Sequence, residues 1–175
     1  MSPPPIVVIM GVSGSGKSSV ALGLAAKLGW AFQEGDALHP PANIAKMSAG
    51  VPLNDADRIP WLAAIADWIE TMVVDGSPAI VTCSGLKRCY RDYLRHDRPC
   101  LRMVFLDGTE DLIASRVAAR KGHFMPLALL KSQFDTLEPP MPDEGVLIVE
   151  VDQPLEAQVD EIQLAVTGAP KAQAL

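Results

Sequence analysis

The chain has 175 residues and a mass of 18.7 kDa, a size that suits one compact domain. Apolar residues make up 49% and charged residues 21%, which excludes a disordered or collagen-like chain. Fifteen Lys and Arg against 21 Asp and Glu leave a net charge of −6 and a pI near 5.0, which disfavours a general nucleic-acid coat protein. A local basic pocket for an anionic ligand remains compatible with that balance.

The three cysteines, Cys83, Cys89 and Cys100, match no zinc or redox spacing and read as reduced thiols. Met1 to Pro5 and the short apolar run after it lack the features of a signal peptide, and no apolar run approaches the ~18–20 residues of a membrane helix. The expected location is cytoplasmic, with no membrane partner.

Strands and helices alternate along the chain. Ile6–Met10 is a short β-branched run bounded by Pro5 and Gly11 and predicts a buried strand. Lys17–Leu28 carries apolar residues at helical spacing and stops at Gly29. Ala31–Gln33 predicts a second strand, and Pro40-Pro41 a short helix reaching Met47. A longer helix follows Pro60, with Trp61, Leu62, Ile65, Trp68, Ile69 and Met72 in one stripe. Ala79–Cys83 predicts a third strand, Lys87–Arg95 a polar helix, and Leu101–Leu106 a fourth strand. Thr109 caps an amphipathic helix reaching Arg120. Residues 121–142 are the least regular inner stretch. Val146–Val151 is the fifth strand and Leu155–Val166 the last helix, and a tail of about 168–175 frays. Strands separated by helices imply an α/β domain whose parallel sheet is covered on both faces. Nothing marks a second domain.

The strongest motif is Gly11-Val12-Ser13-Gly14-Ser15-Gly16-Lys17-Ser18, a full G-x-x-x-x-G-K-[ST] match. It directly follows a predicted strand and opens a predicted helix. Its glycines let successive backbone N–H groups turn toward phosphate oxygens, and the helix N-terminus adds its positive dipole end. Lys17 reaches the β- and γ-phosphates, and the Ser18 hydroxyl suits Mg²⁺. The motif points to a nucleoside triphosphate. No Asn/Thr-Lys-x-Asp segment selects guanine, and the small size favours a small-molecule kinase over a switch or motor.

Acceptor-side candidates follow. Asp36 lies at the carboxyl end of the second strand, where open parallel sheets bind ligands, and suits either the Mg²⁺ shell or a hydroxyl proton. His39 comes three residues later. Asp55 or Asp57 suits a helix cap, and Arg58 falls in a turn where it either clamps a carboxylate or pairs with those aspartates. Lys87 and Arg91 are four apart and share a helix face, which suits an anionic acceptor or merely a solvated face. Arg116 and Arg120 lead into Lys121-Gly122-His123-Phe124 and suit a lid over about 121–142. Gln153-Pro154 opens the last helix.

With these residues in view the chain resembles the small P-loop gluconate kinases, a family related in fold to shikimate and adenylate kinases. The match runs through the phosphate loop, Gly35-Asp36-x-Leu38-His39-Pro40, Asn43-Ile44-x-Lys46-Met47, and Gly50-x-Pro52-Leu53-Asn54-Asp55-x-Asp57-Arg58-x-Pro60-Trp61-Leu62. It continues through Cys83-Ser84-x-Leu86-Lys87-x-x-Tyr90-Arg91, Arg120-Lys121-Gly122-His123-Phe124, Ser132-Gln133-Phe134-x-x-Leu137-Glu138, and Asp152-Gln153-Pro154-Leu155-Glu156. The resemblance implies a three-layer fold with strand order 2-3-1-4-5 and a mobile lid. It implies ATP-dependent, Mg²⁺-assisted phosphorylation of D-gluconate at its 6-hydroxyl, by a homodimer.

By that resemblance Lys17, Asp36 and Arg120 are catalytic, and Ser18 and Asp36 serve the metal. Gly11 to Ser18, Arg116, Arg120, Gln153 and Pro154 hold ATP, with Arg120 near the adenine. Asp36, His39, Arg58, Lys87 and Arg91 hold the sugar acid. Two residues depart from the pattern. Glu34 stands where the family has Asp, which questions a direct role for that carboxylate, and Gly85 stands where Ala is usual and is expected only to loosen a turn. The rival readings are a kinase for another small acid or a nucleoside monophosphate, an ATP-binding regulatory module, and a GTP-selective switch.

Overall fold

Every residue of Ile6–Met10 (β1) is fully buried, and the strand's two faces feed two different cores. Ile6, Val8 and Met10 pack with Trp61, Ile65 and Ile69 of the helix Asp55–Val74 (α3). Val7 and Ile9 pack with Val20 and Leu24 of Lys17–Leu28 (α1) and with Val159 and Ile162 of Leu155–Thr167 (α7). This is the period-2 alternation of a strand covered on both sides, and it explains the unbroken apolar run.

The computed structural model describes residues 3–119 and 126–168. The other strands are Ala31–Gln33 (β2), Ala79–Thr82 (β3), Leu101–Asp107 (β4) and Leu147–Glu150 (β5). They form one sheet of order β2-β3-β1-β4-β5 with every neighbouring pair parallel, the order that the family resemblance implies. The remaining helices are Pro41–Ser48 (α2), Arg88–Arg95 (α4), Glu110–Ala119 (α5) and Leu127–Thr136 (α6). Thr109 caps α5 as expected, its hydroxyl accepting from the Leu112 N–H at 3.3 Å. Arg120 and residues 121–125, the first part of the expected lid, and residues 169–175 of the tail lie outside the described residues.

Three elements differ from the sequence expectation. Helix α3 starts at Asp55, five residues before Pro60. Asn54, not an aspartate, is the cap. Its side chain accepts from the Asp57 N–H at 2.9 Å, and the Asp57 carboxylate accepts from the Asn54 N–H at 3.0 Å. This reciprocal box holds the first turn, and Pro60 removes a hydrogen bond only at an exposed face. Arg58 therefore belongs to the first turns of a helix. Helix α6 fills much of the stretch read as irregular, and a short 3-10 turn, Pro142–Glu144, follows it. Helix α4 begins one residue late, with Lys87 as its N-cap.

Beside the two main cores, a third small cluster joins Val12 of the phosphate loop to Ile113 and Val117 of α5 and Leu130 of α6. It seats the loop against two helices. The cysteines are all free: Cys83 and Cys100 are buried and Cys89 is exposed. Burial pushes the Cys83 thiol up to about 12, so it is an inert packing residue.

One ion pair lies wholly inside. Arg91 of α4 donates through Nε and Nη2 to the two Glu144 carboxylate oxygens at 2.6 and 2.8 Å. Its Nη1 donates to the Gly85 and Glu138 carbonyls at 2.8 and 2.9 Å. Both side chains have no exposed surface. The pair ties α4, the β3–α4 loop and the segment before β5 together. The guanidinium holds the Glu144 carboxyl well below its ordinary 4.5. Because the unfolded chain takes up that proton first, the stabilisation is complete above about pH 4.5 and is lost as pH falls through the folded value. Glu144→Gln should cost about 3–5 kcal/mol in the denaturant midpoint at neutral pH by stranding a buried cation, and should flatten the acid-side loss of stability.

Candidate active site

The phosphate loop sits at the carboxyl end of β1, the central strand. Gly11, Gly14 and Gly16 hold φ values of +142°, +81° and +100°, which bend the chain into its cradle. The Gly11 N–H is tied to the Ser84 carbonyl at 3.2 Å, and the Ser15 N–H to the Val12 carbonyl at 3.2 Å. Helix α1 then opens with no side-chain cap and no acidic residue in its first turn. Its free N–H groups and positive dipole end are thus left for an anion, in contrast to the boxed start of α3. The buried Ser15 hydroxyl has no hydrogen-bond partner among the described residues. Lys17 donates to the Val12 carbonyl at 3.0 Å and lines the neighbouring cleft.

Ser18 does not turn to Asp36. Its hydroxyl donates to Glu34, whose other oxygen accepts from the Thr82 hydroxyl at the end of β3. The carboxylate that the sequence reading questioned is therefore the one against the phosphate loop, because the glutamate's extra methylene spans from α1 to β3. Gly35 makes this approach feasible: a Cβ there would overlap the Thr82 carbonyl. The Gly35 N–H donates to Thr82 Oγ1 at 2.9 Å, and the Trp61 indole donates to the Gly35 carbonyl at 2.8 Å.

A cleft of about 390 Å³ opens beside the loop. Ser13, Lys17, Asp36, His39, Arg58 and Gln133 are among its walls. The Asp36 carboxylate is largely exposed, and His39 Nε2 lies 3.9 Å from it. The His39 ring is buried, stacked on Trp61 at 4.3 Å and 13°. The Asn43 amide nitrogen donates to the Asp57 carbonyl at 2.8 Å and faces His39 Nδ1 at 3.2 Å. With the amide fixed as donor, Nδ1 accepts and Nε2 carries the proton toward Asp36. Burial also lowers the His39 pKa, so the ring is neutral.

Arg58 is buried, with 8% of its surface exposed. Its Nη2 makes one long contact to the Leu53 carbonyl at 3.5 Å, its Nε has no hydrogen-bond partner among the described residues, and its guanidinium carbon lies 5.7 Å from the Tyr90 ring centre. The aspartates that might have neutralised it are engaged elsewhere. Asp57 accepts from Lys46 at 2.7 and 2.8 Å, and Asp55 accepts from Lys87 and the Tyr90 hydroxyl. Those partners hold both carboxyls below their ordinary value. A buried guanidinium short of acceptors beside a cleft has the donors to take a carboxylate in two-point fashion.

The other expected acceptor cations are not in the cleft. Arg91 is corrected from substrate binding to the internal pair with Glu144, which leaves it no exposed donor. Lys87 is also corrected. It precedes α4, so it does not share a helix face with Arg91, and it is held by Asp55 at 2.8 Å over the Tyr90 ring. It is one contact removed from Arg58, through Asp55 and Tyr90. On the nucleotide side, Arg116 donates to the Val151 carbonyl at 2.8 Å, next to the turn that carries Gln153 and Pro154. The Gln153 amide is spent on the Glu150 carbonyl and Glu161. A second hollow of about 520 Å³, lined by Arg95, Arg98 and Arg102, lies at the amino end of β4, away from the phosphate loop.

Gly85 is more than a looser turn. Its φ is +55°, and a Cβ there would come within 2.5 Å of Met10 Sδ and 2.9 Å of Met10 Cγ. The fully buried Met10 occupies the space that an alanine methyl would need. Gly85→Ala should therefore lower stability by about 1–3 kcal/mol, read as a chemical-denaturation midpoint shift, and shortening Met10 in the same chain should recover part of it.

No protein-family model matches the chain. The gluconokinase of Gluconobacter oxydans strain 621H is 52% identical over 159 residues, covering 91% of this chain and 89% of that protein. The thermoresistant gluconokinase of Escherichia coli strain K12 is 51% identical over 155 residues, covering 88% and 89%. The crystal structure of a gluconokinase from Sinorhizobium meliloti 1021 superposes with a TM-score of 0.85 at 48% identity, over 96% of this chain and 94% of that one. Identity of this degree over about nine-tenths of the chain shows that the chain belongs to the gluconokinase family.

Proposed function

We propose that this protein transfers the γ-phosphoryl group of ATP to the 6-hydroxyl of D-gluconate. The observation that carries the acceptor reading is Arg58, buried at the cleft with no hydrogen-bond partner for its Nε and no ion-paired carboxylate among the described residues. An acid whose carboxylate is gripped at one end presents the primary hydroxyl at its other end, and Asp36 is the exposed carboxylate placed to receive that hydroxyl's proton. In the transfer, the Pγ–O bond to ADP breaks as the bond to the sugar oxygen forms, and the hydroxyl proton passes to Asp36. Lys17 and the free N–H groups at the start of α1 offset the charge on the phosphates. The neutral His39, braced by Trp61 and Asn43, holds its Nε2–H toward Asp36.

Mg²⁺ fits the donor set, which is oxygen only: the Ser18 hydroxyl with the Glu34 carboxylate beside it, Asp36 across the cleft, and the phosphates of the nucleotide. When bound, the ion would neutralise charge that develops during transfer. Arg116 and the Gln153-Pro154 turn form the side where the adenine would pack. The free cysteines suit a reducing cytoplasm. The family resemblance makes a homodimer the expected assembly, which sedimentation velocity tests.

The deciding experiment is acceptor-dependent ADP release from Mg·ATP with D-gluconate, galactonate, shikimate, glycerate and AMP. Release with gluconate alone is expected. Release with another acceptor would discard the substrate and keep the kinase, and tight ATP binding without release would favour a regulatory module. Asp36→Ala should lower kcat by about 10²–10⁴-fold with nucleotide binding kept. Arg58→Gln should raise the KM for the acid by about 10–100-fold with a much smaller change in kcat. Lys17→Ala should lose kcat/KM and ATP affinity together.

A further inference from the structure

Gln133 lies in the stretch of α6 that the sequence pattern left irregular, and the proposed mechanism does not use it. Helix α6 meets the phosphate loop along two adjacent stripes. Leu130 is buried with Val12, and Phe134 packs into the same cluster. One position round, Leu129, Ser132 and Gln133 are spaced to share a helix face, and all three line the cleft. The first stripe fixes the distance between helix and loop, and the second presents Gln133 at that distance.

Its orientation follows from chemistry. The backbone N–H of Ser13, in the third position of the phosphate loop, meets Gln133 Oε1 at 2.7 Å. A backbone N–H only donates, so the amide oxygen must face the loop and the amide nitrogen must face away from it. Gln133 Nε2 has no hydrogen bond to any described residue, and the side chain is half-buried in the cleft wall with Lys17 and Asp36 as fellow residues. A fixed N–H₂ group, unspent on any described residue, thus belongs to the wall of the cleft that the phosphate loop and Asp36 also line.

We propose that Gln133 is a catalytic residue that donates from Nε2 to an oxygen of the phosphoryl group in transfer, with Ser13 holding its amide in the productive orientation. This inference deepens the kinase reading above and rests on it. The arrangement meets what phosphoryl transfer asks of a protein, a preorganised donor where negative charge is spread in the transition state.

Gln133→Glu separates the two ends of the side chain. It keeps an oxygen for the Ser13 N–H and replaces the donor with an anionic oxygen. Whichever acceptor proves active in the panel serves as second substrate, so loss of the gluconate assignment leaves this test standing. The expected result is a fall in kcat of about 10²-fold or more, with the KM for the acid within about threefold. Binding of ADP with aluminium fluoride, a mimic of the transferring group, should weaken in parallel, and ADP alone should bind unchanged. Gln133→Ala, which adds no charge, should show the same pattern more mildly, and an unchanged melting temperature in either variant establishes folding. A glutamate variant with kcat within a few-fold of the parent would overturn the proposal, since the Ser13 anchor alone would then suffice. So would a raised KM for the acid with kcat intact. Tighter ATP binding by Gln133→Ala with kcat preserved would also overturn it, by showing that the amide oxygen merely occupies the Ser13 N–H.

Discussion

The helix dipole and free N–H groups at the start of α1 are the interaction on which the rest of this protein depends. They exist because no side chain caps that helix, and they are aimed because β1 runs straight into the loop before it. β1 is the middle strand of five and is buried on both faces, so its carboxyl end is among the least adjustable points in the fold. Every ligand-facing element is placed relative to that point. Glu34 reaches it from the end of β2, Thr82 and Ser84 from the end of β3, and Gln133 from α6.

The acceptor side is built differently. The phosphate loop is a backbone cradle, whereas the proposed acid pocket rests on withholding partners from a side chain. The start of α3 carries two aspartates within reach of Arg58, and each is occupied by a lysine before it can neutralise the guanidinium. Asp57 is further tied into the capping box of the helix that carries Arg58. A motif that looks like simple helix punctuation is thus also the device that keeps a cation available. Lys87 belongs to this device as a guard of Asp55 rather than as a ligand.

Much of this was legible in the sequence, and the failures have physical causes. β1, α1 and β2 were readable to the residue because apolar runs with sharp glycine and proline ends leave little choice. α3 was read late because Pro60 looks like a start signal, while the true signal is the Asn54–Asp57 pair three residues apart. α6 was missed because it buries only Leu130, so its sequence shows no broad apolar stripe. Arg91 was misassigned because spacing in sequence does not reveal which cation a distant carboxylate will claim, and Glu144 lies 53 residues away. Glu34 was doubted for its length, and length is what its two contacts use.

The distribution of the thiols has a practical consequence. Cys83 directly follows β3 beside the phosphate loop, inside the core and held in its unreactive protonated form, and Cys100 is buried before β4. Cys89, on the outer face of α4, is the thiol open to solvent. It directly precedes Tyr90, whose ring lies under Arg58 and whose hydroxyl holds Asp55. A maleimide dye attached to the unaltered chain would therefore sit at one site, next in sequence to the tyrosine under Arg58 and outside the residues that line the cleft. The protein carries its own attachment point for an optical reporter of acceptor binding, with no cysteine to remove or introduce.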